Sequence, residues 1–135
     1  MQQYTKYQNA TLLVVRLIVA AIFIYAGHGK WFIWSATPEG MGTTMVTLIK
    51  FLSIVEPLGA VGLIVGCLTR WAAGGLALIM AGSFFFLHYL LHAALFTSPQ
   101  GTGVDYNAAI LAGCLVLAAF GAGKWSLDAM QNKTV

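Results

Sequence analysis

Charge is what this sequence has least of. Of its 135 residues only 8% are Asp, Glu, Lys or Arg, against 59% hydrophobic, and the mean hydropathy is +0.81. An ordinary soluble domain carries about 25% charged residues. Too few charges remain to clothe a soluble surface, which excludes a water-soluble enzyme, a disordered chain and a free nucleic-acid binder. The surface must face lipid. Cysteine is scarce too, with two residues. Cys67 and Cys114 lie in separate apolar runs and form no CxxC, which argues against a redox dithiol or an extracytoplasmic disulfide. Nothing resembles a nucleotide-binding loop, a haem-attachment CxxCH or a Ser/His/Asp set, and there is no internal repeat. The net charge of +3 therefore carries no nucleic-acid meaning. In a membrane protein, basic residues set orientation and touch anionic lipid.

What is present is long apolar sequence. A membrane-spanning helix takes about 20 residues. Apolar runs over residues 10–34, 45–68, 71–96 and 105–122 predict four spans. The expected fold is all-α, an integral membrane four-helix bundle forming one domain over 1–135. A polar tail leads to Asn9 or Thr11, either of which reads as a helix N-cap. The first run is too long for a cleavable signal peptide, and a cut after Ala36 would place Trp34 where a small residue is needed. With an even number of spans, both tails and the middle turn share one side. That side holds Lys6, Arg16, Arg70, Lys124 and Lys133, whereas the other holds Lys30 and Lys50. The bias predicts both termini in the cytoplasm of a multi-pass inner-membrane protein. Trp31, Phe32 and Trp34 would mark the outer interface, Trp71 and Trp125 the inner one.

Helices associate inside lipid through small residues. Gly62 and Gly66 form a GxxxG with Gly59 on the same face, while Gly75 and Gly82 stand a heptad apart and Gly113 and Gly121 serve the last span. All read as packing positions.

Glu56 is the residue to explain. It lies about 18 Å from the cytoplasmic end of its span at 1.5 Å per residue, near the bilayer centre. An acid there costs on the order of 3 kcal/mol and usually faces a partner or a cavity. Arg16, about 9 Å into the first span from the same side, can extend about 6 Å further along its stem. An Arg16–Glu56 pair follows, either as a structural ion pair or as a functional acid that carries protons or holds a headgroup. Pro57 frees the carbonyl of Ser53 and leaves a further polar group beside Glu56.

The histidines form a second group. His28 falls about 27 Å along the first span, and His88 and His92 about 26 and 32 Å along the third. All three then lie near the outer face with Lys30 and Asp105. His88 and His92, four apart, would share one helix face. Three readings stand side by side: residues of the interfacial belt, a headgroup site (for instance for a quinone), and a metal pair. No third ligand is fixed by spacing, so no metal is assigned. Lys30 would snorkel to the outer interface, Arg70 would anchor the inner turn, and Cys114 would pack.

Three blocks then resemble the DoxX family of small bacterial membrane proteins. They are RLIVAAIFIYAGHGKWF at 16–32, EPLGAVGLIVGCLTRWAA at 56–73 and GAGKWSLD at 121–128. In this sequence the polar positions of the pattern are Arg16, Lys30, Glu56, Arg70, Ser126 and Asp128. Ala20 and Ala21 depart from a pattern that often has glycine there, Pro57 follows the acid, and Asn107 stands where proline often opens the fourth helix. The paired His88 and His92 are outside the general pattern. The resemblance implies a four-helix membrane subunit linked to redox and sulfur chemistry, with thiosulfate:quinone oxidoreductase including one such subunit.

Three functions follow as expectations. In the first, a redox complex's membrane subunit holds a quinone, with Glu56 and Arg16 as catalytic residues and His28, Lys30, His88 and His92 binding the cofactor. A partner subunit handles electrons, because the chain has no evident carrier of its own. The second is a non-catalytic accessory subunit, within a larger complex or a homo-oligomer. The third is a small proton-coupled transporter, against which small multidrug exporters carry their acid in the first span and show weak charge bias. Membrane lipid is a partner in all three, and nucleic acid in none.

Overall fold

The computed structural model describes residues 5–131, and every regular element among them is helical. Helix α1 runs Lys6–Gly29, a short α2 Phe32–Ser35, α3 Thr43–Val65, α4 Thr69–Phe85, α5 Asp105–Phe120 and α6 Leu127–Gln131. The N-cap of α1 is Thr5, not Asn9 or Thr11. Its side chain accepts from the Gln8 N–H while the Gln8 side chain accepts from the Thr5 N–H, a reciprocal capping box. Asn9 is thereby inside the helix and buried, its amide donating to the Thr5 carbonyl.

Three helical runs, Lys6–Ser35, Thr43–Val65 and Thr69–Leu90, are long and apolar enough to cross a membrane, and Asp105–Phe120 is a shorter apolar helix. The third run stops earlier than its sequence suggests. After Phe85 the chain passes through a π-helical turn, Phe86–Leu90, and leaves helical geometry, with His92 at a left-handed φ of 52°. Residues 91–104 fold back as a loop, tied by the Val104 and Asp105 N–H groups donating to the carbonyls of Ala94 and Leu95. The 16 residues of α5 extend about 24 Å at 1.5 Å per residue, short of a hydrocarbon core about 30 Å thick.

The four long helices close a ring in chain order, α1 against α3, α3 against α4, α4 against α5, and α5 back against α1. Neighbours are antiparallel. Along α1 and α3, Arg16 meets Ile64, Gly27 meets Pro57 and Trp31 meets Ser53. The core between them is Leu12, Val19, Phe23, Leu63, Leu76, Ile110, Leu117 and small residues such as Ala20, Ala60 and Ala73. The outward surface is apolar as well, with Leu58, Trp71, Leu78 and Phe85 exposed, as lipid contact requires.

Small residues pack where α3 was expected to use them. A Cβ on Gly59 would lie 3.1 Å from Leu76, and one on Gly62 would lie 3.6 Å from the Ala72 Cβ. Gly113 likewise faces Val19 at 3.0 Å. Gly75 and Gly82 do not follow the expectation. Among the described residues nothing lies within 4 Å of a Cβ built on either, because their face of α4 points out of the bundle.

Candidate functional site

The polar residues sort into two groups at different heights of the bundle. At the end where α1 begins and α5 finishes, Gly66 closes α3 in the left-handed region (φ 71°), and α4 restarts three residues later at Thr69. Helix C-termini leave carbonyls without intrahelical donors. The Arg16 guanidinium donates to one such carbonyl, that of Ile64 (3.3 Å), and to the carbonyls of Ala122 (2.8 Å) and Trp125 (2.9 Å) beyond the end of α5. A Cβ on Gly66 would stand 2.9 Å from Arg16 Nη1 and 2.5 Å from the Ser126 Cβ, so close approach and positive φ both require glycine there.

The C-terminal strap, residues 121–128, completes this end. Asp128 accepts from the Leu68 N–H (2.7 Å) and the Thr69 N–H (2.9 Å), capping α4, and its own N–H donates to the Gly66 carbonyl. Ser126 accepts from the Ala129 N–H and donates to the Gly123 carbonyl. Asn9 accepts from the Lys124 N–H at 2.8 Å. Arg16, Ser126 and Asp128 are thus brought together as a backbone lock. Among the described residues Arg16 Nε and Thr69 Oγ1 are buried without a hydrogen-bond partner.

Glu56 belongs to the other group. It lies about 20 Å from the Thr43 end of α3 and about 14 Å from Val65. Its partner is Lys30, not Arg16: Lys30 Nζ donates to Glu56 Oε2 at 2.6 Å and to the Ala26 carbonyl at 3.2 Å. The Glu56 side chain is 2% exposed and that of Lys30 27%. The expected Arg16–Glu56 pair fails on register. Arg16 is level with Ile64, eight residues or about 12 Å along α3 from Glu56, twice the reach of its stem. Lys30 also departs from expectation, turning inward instead of snorkelling outward. The reason is the contact one turn earlier. A Cβ on Gly27 would lie 2.4 Å from the Pro57 ring, so the bare glycine backbone lets α1 sit directly on Pro57 and carries Lys30 to the neighbouring carboxylate.

The carbonyl that Pro57 frees on Ser53 is present as expected, and it has a donor. Trp31 Nε1 donates to the Ser53 carbonyl (3.2 Å) and Trp34 Nε1 to Ser53 Oγ (3.0 Å), while that hydroxyl donates to the Lys50 carbonyl (2.7 Å). Lys50 Nζ stands 5.1 Å above the Trp34 ring, a cation–π contact. Trp31, Trp34, Ser35, Ser53, Ile54, Pro57 and Leu58 line an open groove of about 590 Å³ on the outside of the bundle. Lys30 and Glu56 do not line it, but each is followed in sequence by a residue that does. Sequence reasoning missed Trp31, Trp34 and Ser53 as a unit. The proline-freed carbonyl was the signal, since a buried acceptor demands a donor nearby.

The histidines separate. His28 is exposed and tilts against Trp31, ring centroids 5.2 Å apart, at the margin of the groove. His88 lies in the π turn, where Nδ1 meets the Ala93 carbonyl at 3.0 Å and the ring contacts Phe84 and Tyr89. His92 lies beyond the helix, so the pair does not share a helix face. Asp105 is held by the Thr97 N–H and hydroxyl. Among the described residues no three His, Cys, Asp or Glu side chains gather as metal ligands.

A ring of apolar helices with a buried basic residue at one end and a Lys–Glu pair further along defines a small polytopic membrane protein. Residues 11–89 match the DoxX family, and the chain belongs to it. It is 28% identical over 130 residues, 95% of this chain and 97% of the other, to the inner membrane protein YqjF of Escherichia coli. It is 31% identical over 129 residues, 95% of this chain and 96% of the other, to an uncharacterized protein of Haemophilus influenzae. No solved structure matches.

Proposed function

We propose that this inner-membrane DoxX protein is the membrane subunit of a quinone-linked redox complex, with both termini cytoplasmic and its polar site at Lys30 and Glu56. One observation carries the reading. The Lys30–Glu56 pair, its carboxylate buried, adjoins through Trp31 and Pro57 a groove that opens sideways among exposed Trp31, Trp34, Ile54 and Leu58. A membrane-dissolved amphiphile reaches such a groove without leaving the lipid. The indole walls suit a flat ring, and Ser35 and Ser53 are the polar members of the groove's lining. Behind it, Lys30 and Glu56 can give and take a proton. Electrons come from a partner subunit. Lys6, Arg16, Arg70, Lys124 and Lys133 against Lys30 and Lys50 support the orientation.

A Glu56→Gln variant tests this reading, with the complex purified in mild detergent and its quinone-dependent oxidation followed. Activity is expected to fall by about 100-fold, the scale of losing one general acid–base group, with assembly intact. Unchanged turnover rejects the catalytic assignment. A second reading, a non-catalytic accessory subunit, draws on the mutual neutralisation of Lys30 and Glu56. It predicts that deletion removes a larger complex while Glu56→Gln is tolerated. Uptake driven by a pH gradient in proteoliposomes of the chain alone would instead favour the proton-coupled transporter.

A further inference from the structure

We infer that the end where α1 begins and α5 finishes holds a binding site for the headgroup of an anionic phospholipid, with Arg70 and Lys124 as the phosphate-binding side chains. The two ends differ in charge. Among the described residues, Lys6, Arg16, Arg70 and Lys124 against Asp128 leave three positive charges at this end, whereas Lys30 and Lys50 against Glu39, Glu56 and Asp105 leave one negative charge across the rest. The single acid of this end is already engaged, since its two carboxylate oxygens accept from the Leu68 and Thr69 N–H groups. Arg16 is buried on three carbonyls. Arg70, Lys124 and Lys6 are therefore the exposed cations, with no acid left to answer them among the described residues.

These cations are mounted on fixed backbone. Arg70 lies in the first turn of α4, and its stem runs over Gly121, where a Cβ would stand 3.3 Å from Nε. Gly121 has a φ of 79° and no side chain to push Arg70 aside. Lys124 follows three residues later, at most about 11 Å along the chain, its N–H held by Asn9 of α1. One phosphodiester is within reach of both side chains. Arginine supplies a planar fork for two phosphate oxygens and lysine a point charge. Trp71, 82% exposed, and Trp125, 52% exposed, flank the pair. Exposed indoles seat themselves at the headgroup level of a bilayer, which puts the two cations at phosphate depth and favours a lipid over a soluble anion.

The test is native mass spectrometry of the full chain in mild detergent, titrated with equal amounts of phosphatidylglycerol and phosphatidylcholine. The wild type should retain the anionic lipid preferentially, by about fivefold for each cation engaged. Arg70→Gln with Lys124→Gln should remove that preference, and Lys50→Gln at the other end should leave it intact. Arg70→Lys with Lys124→Arg keeps both charges and should keep most of the preference, which guards against a folding defect in the neutral variant. Undiminished preference in the neutral variant overturns the proposal, as does an equal loss in Lys50→Gln. Displacement of the lipid by millimolar inorganic phosphate would make this a site for the free anion and overturn the assignment to lipid.

Discussion

Arg16 and Glu56 are both nearly fully buried ionic side chains in an apolar bundle, yet they are satisfied in opposite ways. Arg16 gives its donors to one carbonyl near the end of α3 and two in the strap, so its charge is taken up by backbone. Glu56 is answered by one flexible side chain, itself partly exposed, beside a groove open to lipid. A charge that closes helix ends is part of the fold. An ion pair next to an accessible groove can exchange its partner for a ligand or a proton. Burial alone does not separate the two cases. The identity of the partner does.

The comparison is broken most decisively at Arg16. Replacing it with Met leaves the carbonyls of Ala122, Trp125 and Ile64 without this donor and leaves the Asn9–Lys124 bond as the remaining hydrogen bond from α1 to the strap among the described residues. At about 1.5–3 kcal/mol for each hydrogen bond to a charged group, the loss should exceed 4 kcal/mol. That is a large share of the 5–15 kcal/mol typical of a folded domain. Thermal unfolding in detergent should show a collapse of the melting temperature or no folded protein. A shift of only a few degrees would mean that the lock is ornamental.

A double-mutant cycle on the other pair sharpens the same contrast. Glu56→Leu alone strands the Lys30 ammonium, although 27% exposure lets it swing towards water, so about 2 kcal/mol is expected where a fully buried partner would cost 3–5. Adding Lys30→Met should recover most of that, since an apolar pair suits this environment. The melting temperature of the double variant should return to within a few degrees of wild type. Failure to recover would make the ion pair itself a structural requirement and weaken its assignment as a working site.

How far the sequence revealed this arrangement depends on which physics each feature obeys. Apolar runs declare membrane helices residue by residue, and the small residues of α3 pack as their spacing implies. The carbonyl freed by Pro57 was legible because it follows from one local rule. Pairing across helices was not. Whether Glu56 meets Arg16 or Lys30 turns on the register of α1 against α3, which Gly27 sets by sitting on Pro57. No depth estimate along a single helix contains that register. The end of the third run was hidden for another reason. Residues 84–96 contain neither glycine nor proline, so the apolar pattern reads on past Leu90. There the π turn, the His88–Ala93 bond and His92 at positive φ redirect the chain.

The smallest expected effect comes from glycines that look alike in sequence and differ in the fold. Gly66 is pinned between Arg16 and Ser126, and Gly27 sits on Pro57, so an added methyl at either meets atoms closer than 3 Å. Gly75 is helical too, but it faces outward with open space around it. Gly75→Ala should therefore leave the isolated chain unchanged or raise its stability by up to about 1 kcal/mol, the difference in helix propensity. A melting temperature equal to wild type or a few degrees higher is the expected result. A clear loss would have a definite meaning. With no neighbour to strike among the described residues, the methyl group would be colliding with another chain, and this face of α4 would then be a protein interface and not a lipid surface.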